Sequence, residues 1–291
     1  MTKTGRRASR VPAPLRPAWH GALRVFRRLW SVRNRDAIVV AADALWPFGP
    51  LAAPHRLASV GAGDFAAVGA EFLGHFRSIG QLRPDDRVLD IGAGAGRIAL
   101  PLSGYLTGGT YDGLEIYRPH VAWCRRRIGR AFPRFRFHHA DILSDTYNPR
   151  GRLSAATYRL PFGEDAFDFV ILTSVLTHLL PNEIDRYLAE VARVMAPAGR
   201  CFATFFVVGD DEAAAIAAGR SAIAFVPFGP DALVGDPAYP SAAVAVTRPW
   251  LDARLAAHGL ACVEFRPGGW SGRRDHTSFQ DIVVLARHQA G

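Results

Sequence analysis

Short apolar runs alternate along the chain with longer stretches whose apolar residues recur at helical spacing. The runs predict strands over residues 87–91, 110–116, 134–140, 167–173 and 200–208, and the spacing predicts helices over 64–79, 96–105, 118–130 and 181–194. Strands that alternate with helices are typical of a parallel sheet with helices packed on both of its faces. The pattern therefore predicts an α/β protein.

The carboxyl-terminal part of the chain is patterned differently. Residues 209–247 are rich in Ala, Gly and Pro and show no clean strand, so we interpret them as an insert that forms a lid over a substrate. Residues 248–258 then predict a helix, and residues 262–266 and 280–286 predict two further strands. Long connections in compact domains are commonly functional.

A glycine-rich turn follows the first predicted strand. The strand ends in Asp90, and glycines stand at positions 92, 94 and 96. Glycine lacks a Cβ, so the turn can bend sharply and let a ligand approach the backbone, while the amides that open the next helix face that ligand. The spacing D-x-G-x-G-x-G differs from the dinucleotide fingerprint G-x-G-x-x-G. Asp90 is placed to meet a cationic group rather than a pyrophosphate.

Two more acids follow at the tips of the next strands. Glu115 ends the second predicted strand, where a carboxylate can accept hydrogen bonds from both hydroxyls of a ribose. Asp141 ends the third strand, where it can accept from an adenine amine while the neighbouring Ile142 lies against the ring.

These motifs, together with the blocks 160–173 and 193–200, resemble the class I S-adenosylmethionine-dependent methyltransferases over residues 57–287. The block 193–200 departs from the family pattern because Ala196 and Ala198 replace a lysine and a glycine. The resemblance implies a Rossmann-like, doubly wound, seven-stranded sheet that is mostly parallel with an antiparallel final strand. It implies S-adenosylmethionine as cofactor, held by Asp90, Gly92, Ala93, Gly94, Arg97, Glu115, Ile116, Asp141, Ile142 and Thr173.

The candidate general base is His178, which follows the fourth strand close to the position that the resemblance implies for the methyl group. Imidazole ionises near neutral pH and suits proton abstraction; the alternative is a histidine that packs or caps locally. Substrate contacts are predicted for Tyr147 in the connection before the fourth strand, and for Trp270, Arg273 and His276 in the loop before the final strand. The alternative for that loop is a glycine-rich hairpin with surface arginines.

The charge of the chain is concentrated at its beginning. Residues 1–35 hold ten basic groups and no acid, whereas the rest of the chain holds 25 basic and 26 acidic groups. We therefore divide the chain into a basic, partly disordered tail over residues 1–36 and a methyltransferase domain over 37–291. Trp19, Leu23, Phe26 and Trp30 recur at helical spacing in the tail. Such a helix can lie on an anionic membrane surface or pack on the domain.

The leading hypothesis is O-methylation of a small molecule, a glycan or a lipid precursor. The alternatives are methylation of RNA or another macromolecule, and a non-catalytic cofactor-binding protein. Against a nucleic-acid substrate, the domain is nearly neutral and Leu172-Thr173-Ser174-Val175 is not an Asn/Asp-Pro-Pro-Tyr/Phe motif. Three scattered cysteines predict neither disulfides nor a metal site. We expect a cytoplasmic protein that is peripheral at the membrane if the tail binds there.

Overall fold

A computed structural model describes residues 51, 53 and 64–288 of the chain. Seven strands form the main sheet: β1 (Arg87–Ile91), β2 (Thr110–Glu115), β3 (Phe135–His139), β4 (Phe167–Leu172), β5 (Met195–Phe205), β10 (Leu260–Arg266) and β11 (Asp281–Arg287). Their order across the sheet is β10-β11-β5-β4-β1-β2-β3. Strand β11 runs antiparallel to both of its neighbours, and β1 to β5 are parallel. This is the predicted doubly wound sheet with its antiparallel final strand.

Four further short strands form a second sheet, which we call the small sheet. They are β6 (Val207–Val208), β7 (Val226–Pro227), β8 (Ala232–Val234) and β9 (Val244–Thr247), in the order β6-β9-β8-β7. Three of these strands lie within residues 209–247, so the prediction that this insert contains no strand is wrong. Strands of two to four residues are too short to show a periodic pattern.

The α-helices that connect the strands largely match the predicted ones. They are α1 (Phe65–Ser78), α2 (Ala99–Tyr105), α3 (Arg118–Cys124), α4 (Pro181–Val194), α5 (Asp210–Ala217) and α6 (Arg248–Ala257). Helix α1 is capped by the Asp64 carboxylate, which accepts from the N–H groups of Ala66 and Ala67. Helix α3 continues as a π-helical turn over Arg125–Gly129. Three-residue 3₁₀ turns lie at Ala155–Thr157, Leu176–His178, Pro240–Ala242 and Gly269–Ser271.

The central strands are buried on both faces because helices cover the main sheet from both sides. Leu89 of β1 and Val170 of β4 are fully buried, and both belong to one large apolar cluster that also includes residues of α4. Apolar runs such as residues 169–172 of β4 are typical of a strand that is covered on both faces. The sheet is therefore a rigid support, and ligand sites belong at the carboxyl ends of its parallel strands.

The small sheet has an aromatic core of its own. Trp270 is fully buried among Phe206, Phe225 and Ala245. Its ring centroid lies 5.4 Å from those of Phe206 and Phe225, in edge-to-face arrangements that favour aromatic packing. The loop between β10 and β11 thus holds the insert against the main sheet through Trp270.

Two features are absent from residues 51, 53 and 64–288. Within this part of the chain, no helix combines the length and the apolar composition that a membrane crossing needs. In the same residues, no group of three or more His, Cys, Asp or Glu side chains is arranged to hold a metal ion. The predicted tail over residues 1–36, with its amphipathic helix, lies outside the described residues.

Candidate functional site

A cavity of about 460 Å³ opens at the carboxyl ends of β1, β2, β3 and β4. Ten residues that were predicted to bind cofactor, bind substrate or act in catalysis line it: Gly92, Ala93, Gly94, Arg97, Glu115, Ile116, Ile142, Tyr147, Thr173 and His178. Its position agrees with the rule that open α/β sheets bind ligands beyond the carboxyl ends of their strands. The cavity is therefore the candidate site.

The glycine-rich turn between β1 and α2 forms the floor of the cavity. Gly92 and Gly94 have φ values of +83° and +53°, which L-residues with a side chain rarely adopt. A Cβ at Gly92 would come within 2.4 Å of Val175 Cγ2, so this glycine is required for close packing. A Cβ at Gly94 would meet almost nothing, since its nearest neighbour is the Gly92 carbonyl oxygen at 4.0 Å. The backbone at Gly94 is therefore open to a ligand.

Glu115 stands beside this turn with its carboxylate held in place. Its two oxygens accept hydrogen bonds from the backbone N–H groups of Gly94, at 2.7 Å, and Tyr117, also at 2.7 Å. Burial raises the pKa of Glu115, and the two backbone donors oppose part of that rise. A carboxylate oxygen can accept more than one hydrogen bond, so Glu115 retains acceptor capacity on the cavity side.

Asp90 lies behind the turn and is absent from the cavity wall. Its side chain is fully buried, and Oδ2 accepts from the Tyr111 hydroxyl at 2.6 Å, whereas Oδ1 has no hydrogen-bond partner among the described residues. Burial raises the pKa of Asp90 to about 7, and the nearby charge of Glu115 adds to the rise. Asp90 is not among the described residues that line the cavity, and its contact with a cationic group stays a prediction.

Asp141 also points away from the cavity, although the residues that follow it line the wall. Its carboxylate pairs with Arg152 at 2.7 Å and accepts from the side chain of Asn148 at 3.4 Å. The Arg152 hydrogen bond is the main cause that lowers the pKa of Asp141. A carboxylate oxygen can accept more than one hydrogen bond, so the contact of Asp141 with an adenine amine stays a prediction.

His178 has a defined tautomer at the edge of the cavity. Its Nδ1 lies 2.9 Å from the backbone carbonyl of Ser241 in the insert. A carbonyl can only accept, so Nδ1 carries a proton and donates it to this hydrogen bond. In the neutral ring, Nε2 is then left with a lone pair, which is the form that a general base needs.

The wall around His178 is mainly apolar. Leu143, Tyr147, Leu179 and Tyr187 line it, together with Phe65, Val68 and Phe72 from α1 and the small polar residues Ser144, Thr173 and Ser174. The Tyr147 ring meets His178 edge-on at 6.3 Å. Burial, with smaller contributions from Glu115 and Tyr239, raises the pKa of Tyr147. Tyr147 therefore keeps its phenol proton at neutral pH.

The loop between β10 and β11 reaches the expected end of the sheet, but its predicted substrate residues lie elsewhere. Trp270 is fully buried, and its Nε1 donates to Asp281 at 3.0 Å. Arg273 pairs with Glu212 at 3.3 Å, and the ring of His276 packs over Gly269. The prediction that Trp270 stacks on a substrate ring is wrong for this conformation, because its side chain is fully buried in the core of the small sheet.

Four residues at or near the cavity wall around His178 were not predicted from the sequence: Ser174, Leu179, Tyr187 and Ser241. Ser241 contributes its backbone carbonyl, and because every residue has one, the sequence does not single this position out. Ser174 adopts a φ of +55° without being glycine, and the sequence around it resembles an ordinary strand end. In the sequence, Leu179 and Tyr187 fit the apolar pattern of a helix and of the segment that leads into it. These positions can be found from tertiary contacts but not from a sequence motif.

The match to a known protein family covers the part of the chain that carries the glycine-rich turn. A family model described as a methyltransferase domain matches residues 89–203. Phthiotriol/phenolphthiotriol dimycocerosates methyltransferase 1 of Mycobacterium ulcerans is 32% identical over 113 residues, which cover 39% of this chain and 35% of that protein. Fatty-acid O-methyltransferase of Mycolicibacterium smegmatis is 33% identical over 113 residues, with coverages of 39% and 34%. The chain thus spans about a third of the length of these relatives.

A comparison with solved structures extends the likeness of the fold over most of the chain. The CcbJ methyltransferase from Streptomyces caelestis superimposes with a TM-score of 0.51 at 16% identity, over 80% of this chain and 96% of that one. At this identity the likeness concerns the fold alone. The matched methyltransferase domain and the order of the sheet agree with the fold that was predicted from the resemblance to class I S-adenosylmethionine-dependent methyltransferases.

Proposed function

We propose that the protein transfers a methyl group from S-adenosylmethionine to an oxygen atom of a small-molecule acceptor, with a glycan or lipid precursor as the candidate class. The observation that carries the proposal is the tautomer of His178. Its Nδ1 proton is committed to Ser241, so that Nε2 is free to accept a proton within the same cavity that contains the glycine-rich turn.

The residues on the cofactor side fit S-adenosylmethionine. The backbone at Gly94 is open where a Cβ would otherwise project, and the fixed carboxylate of Glu115 suits the two hydroxyls of a ribose. Ile116 and Ile142 provide apolar surface for a purine ring. Arg97, whose guanidinium lies 5.5 Å from the centre of the Phe65 ring, also lines the cavity. Asp90 and Asp141 are not among the described residues that line the cavity.

When bound, S-adenosylmethionine supplies an electrophilic methyl group on a sulfonium, and the protein's task is to align the acceptor with it. His178 accepts the proton that the acceptor hydroxyl loses as its oxygen becomes a nucleophile. Ser241 keeps the imidazole in the tautomer that permits this step. Tyr147 and Leu179 exclude water on either side of the reacting oxygen.

The acceptor class follows from the wall around His178. Among the described residues of segment 143–187 that line the cavity, none is Asp, Glu, Lys or Arg. Binding a phosphate chain in such a wall would bury charge without a partner, at a cost of several kcal/mol. This favours an uncharged, largely apolar acceptor over RNA. The name of the fatty-acid O-methyltransferase among the relatives is consistent with such an acceptor.

Transfer of labelled methyl groups tests the proposal. The protein is incubated with methyl-labelled S-adenosylmethionine and, separately, with lipid, glycan and RNA fractions. We expect label in the lipid or glycan fraction, and an ether or ester methyl group when the product is examined by NMR. Label in RNA would support the alternative of a macromolecular substrate. Binding of S-adenosylhomocysteine without transfer to any fraction would support a non-catalytic cofactor-binding protein.

We also propose that residues 1–35 bind an anionic membrane surface, because they hold ten basic groups and no acid. Deletion of these residues should abolish sedimentation with vesicles that contain phosphatidylglycerol, while the affinity for S-adenosylhomocysteine is retained. Vesicles of phosphatidylcholine alone serve as the control. Equal binding to both kinds of vesicle, or loss of cofactor binding in the folded deletion variant, would contradict a separate electrostatic anchor.

A further inference from the structure

A closed ring of hydrogen bonds lies behind the cavity wall, where β4 ends. Ser174 donates its backbone N–H to Thr204 Oγ1 at 2.8 Å, and Thr204 Oγ1 donates to Gln280 Oε1 at 2.6 Å. Gln280 Nε2 donates back to Ser174 Oγ at 2.7 Å and lies 3.5 Å from Thr177 Oγ1. The ring connects the turn after β4 with a fully buried threonine of β5 and with the residue that precedes β11.

Ser174 needs this support because its backbone is strained. Its φ of +55° is in the left-handed region, where the Cβ of an L-residue approaches the following carbonyl oxygen. The conformation is unfavourable for an L-residue, and it persists only where its surroundings over-determine it. Here the surroundings are Thr204, which accepts from the backbone N–H, and Gln280, which donates to the side chain.

The strained residue determines where the neighbouring side chains of the cavity lie. Val175 follows it directly and packs against the glycine-rich turn, at the point where a Cβ on Gly92 would collide with Val175 Cγ2. His178 follows one turn later, at the end of the 3₁₀ turn Leu176–His178. A change of φ at Ser174 would therefore move Val175 and His178 together.

We propose that Gln280 is a positioning residue for methyl transfer: its carboxamide holds Ser174 in the left-handed conformation and so fixes the turn that carries Val175 and His178. A carboxamide suits this position because it accepts from one hydroxyl and donates to another at the same time. Gln280 is not among the described residues that line the cavity, so it acts through Ser174. The inference rests on the proposed function for its effect on turnover.

Substitutions at position 174 distinguish positioning from a general loss of stability. Gln280→Ala should lower kcat about tenfold, because Ser174 is then free to leave the left-handed region. Adding Ser174→Gly should restore kcat to within about threefold of the wild type, since glycine adopts this conformation without a Cβ penalty. Adding Ser174→Ala instead should restore nothing, because alanine keeps the penalty and lacks the hydroxyl.

Hydrogen exchange provides a readout that does not depend on turnover. The Ser174 amide donates to a buried threonine, so we expect its exchange to be at least about tenfold faster in Gln280→Ala than in the wild type. Arg274→Ala, at an exposed position of the same loop, serves as the control and should leave this amide unchanged. If no acceptor takes a methyl group from the wild type, the proposed function fails while the exchange measurement still tests the role of Gln280.

Two results would overturn the proposal. One is unchanged kcat and unchanged exchange of the Ser174 amide in Gln280→Ala. The other is a loss of kcat that neither Ser174→Gly nor Ser174→Ala restores, which would mean that Gln280 acts by another route. If Gln280→Ala does not fold, Gln280→Leu keeps the side-chain volume without the hydrogen bonds and is used in the same combinations.

Discussion

The two sides of the cavity are built in different ways. On the cofactor side, the contacts join residues of one strand–helix–strand unit, as in the hydrogen bond between Gly94 and Glu115, which are 21 residues apart. On the acceptor side, His178 meets Ser241 across 63 residues, and Gln280 meets Ser174 across 106. The first side is a local device that a short motif can encode. The second is a product of the tertiary fold, and it is the side that we propose to bind the acceptor.

The largest expected effect concerns the acceptor side. His178→Ala should lower kcat by about 10²–10⁴-fold, because the acceptor hydroxyl loses the base that removes its proton. The affinity for S-adenosylhomocysteine, measured by calorimetry, should remain unchanged. His258→Ala is a matched control, since His258 pairs with Asp185 at 2.8 Å outside the cavity. A rate like that of the wild type in His178→Ala would mean that transfer proceeds by alignment alone.

The corresponding change on the cofactor side is Glu115→Ala. Loss of a charged acceptor for two ribose hydroxyls costs on the order of 2–3 kcal/mol. We therefore expect the affinity for S-adenosylhomocysteine to fall about tenfold or more, with calorimetry as the measurement. Glu264→Ala, which removes a surface partner of Arg266, is the control. An unchanged affinity would remove the main support for cofactor binding at this turn.

The two sides of the cavity also differ in how much of each could be predicted from the sequence. The bounds of β1 and α4 were predicted residue for residue, because long periodic runs and a glycine turn leave few alternatives. The orientation of Asp90 was not predictable, since a strand residue one position away would have faced the cavity. Helix α5 could have been recognised from the three acids that open it, Asp210, Asp211 and Glu212. The strands of the small sheet could not, because they form only against one another.

Asp90 gives the cofactor side a dependence on pH. Its folded-state pKa, about 7, lies above the ordinary value of 3.8, so the folded protein holds this proton more tightly than the unfolded chain does. The stability that the protonated carboxyl contributes is complete below about pH 3.8 and is lost as the pH rises through 7.

Asp90→Asn mimics the protonated carboxyl and removes this ionisation. From pH 5 to pH 7, we expect the unfolding free energy of Asp90→Asn to rise relative to that of the wild type, by up to about 1.4 kcal/mol per pH unit. Urea denaturation at several pH values measures the difference. The affinity for S-adenosylhomocysteine should change less than in Glu115→Ala, because Asp90 is not on the cavity wall. A difference that is constant with pH would contradict the raised pKa.

The smallest expected effect tests whether the acceptor side depends on Trp270 for substrate contact or only for support. Trp270→Phe removes the indole N–H that donates to Asp281 and part of the volume that fills the small sheet. Asp281 keeps two backbone donors, Gly268 at 2.6 Å and Val207 at 2.7 Å, so the carboxylate is not left alone. We expect a loss of about 1–3 kcal/mol in unfolding free energy and an unchanged KM for the acceptor.

Trp123 offers a matched control for this substitution. It is also buried, but within the part of the chain that the structure describes its indole nitrogen has no hydrogen-bond partner. Trp123→Phe thus removes a similar volume without breaking such a bond, and the excess loss in Trp270→Phe measures the contact with Asp281. The Trp270 side chain is buried and does not line the cavity. A raised KM with unchanged stability would therefore contradict the supporting role. It would instead place the indole at the acceptor in a conformation other than the one described.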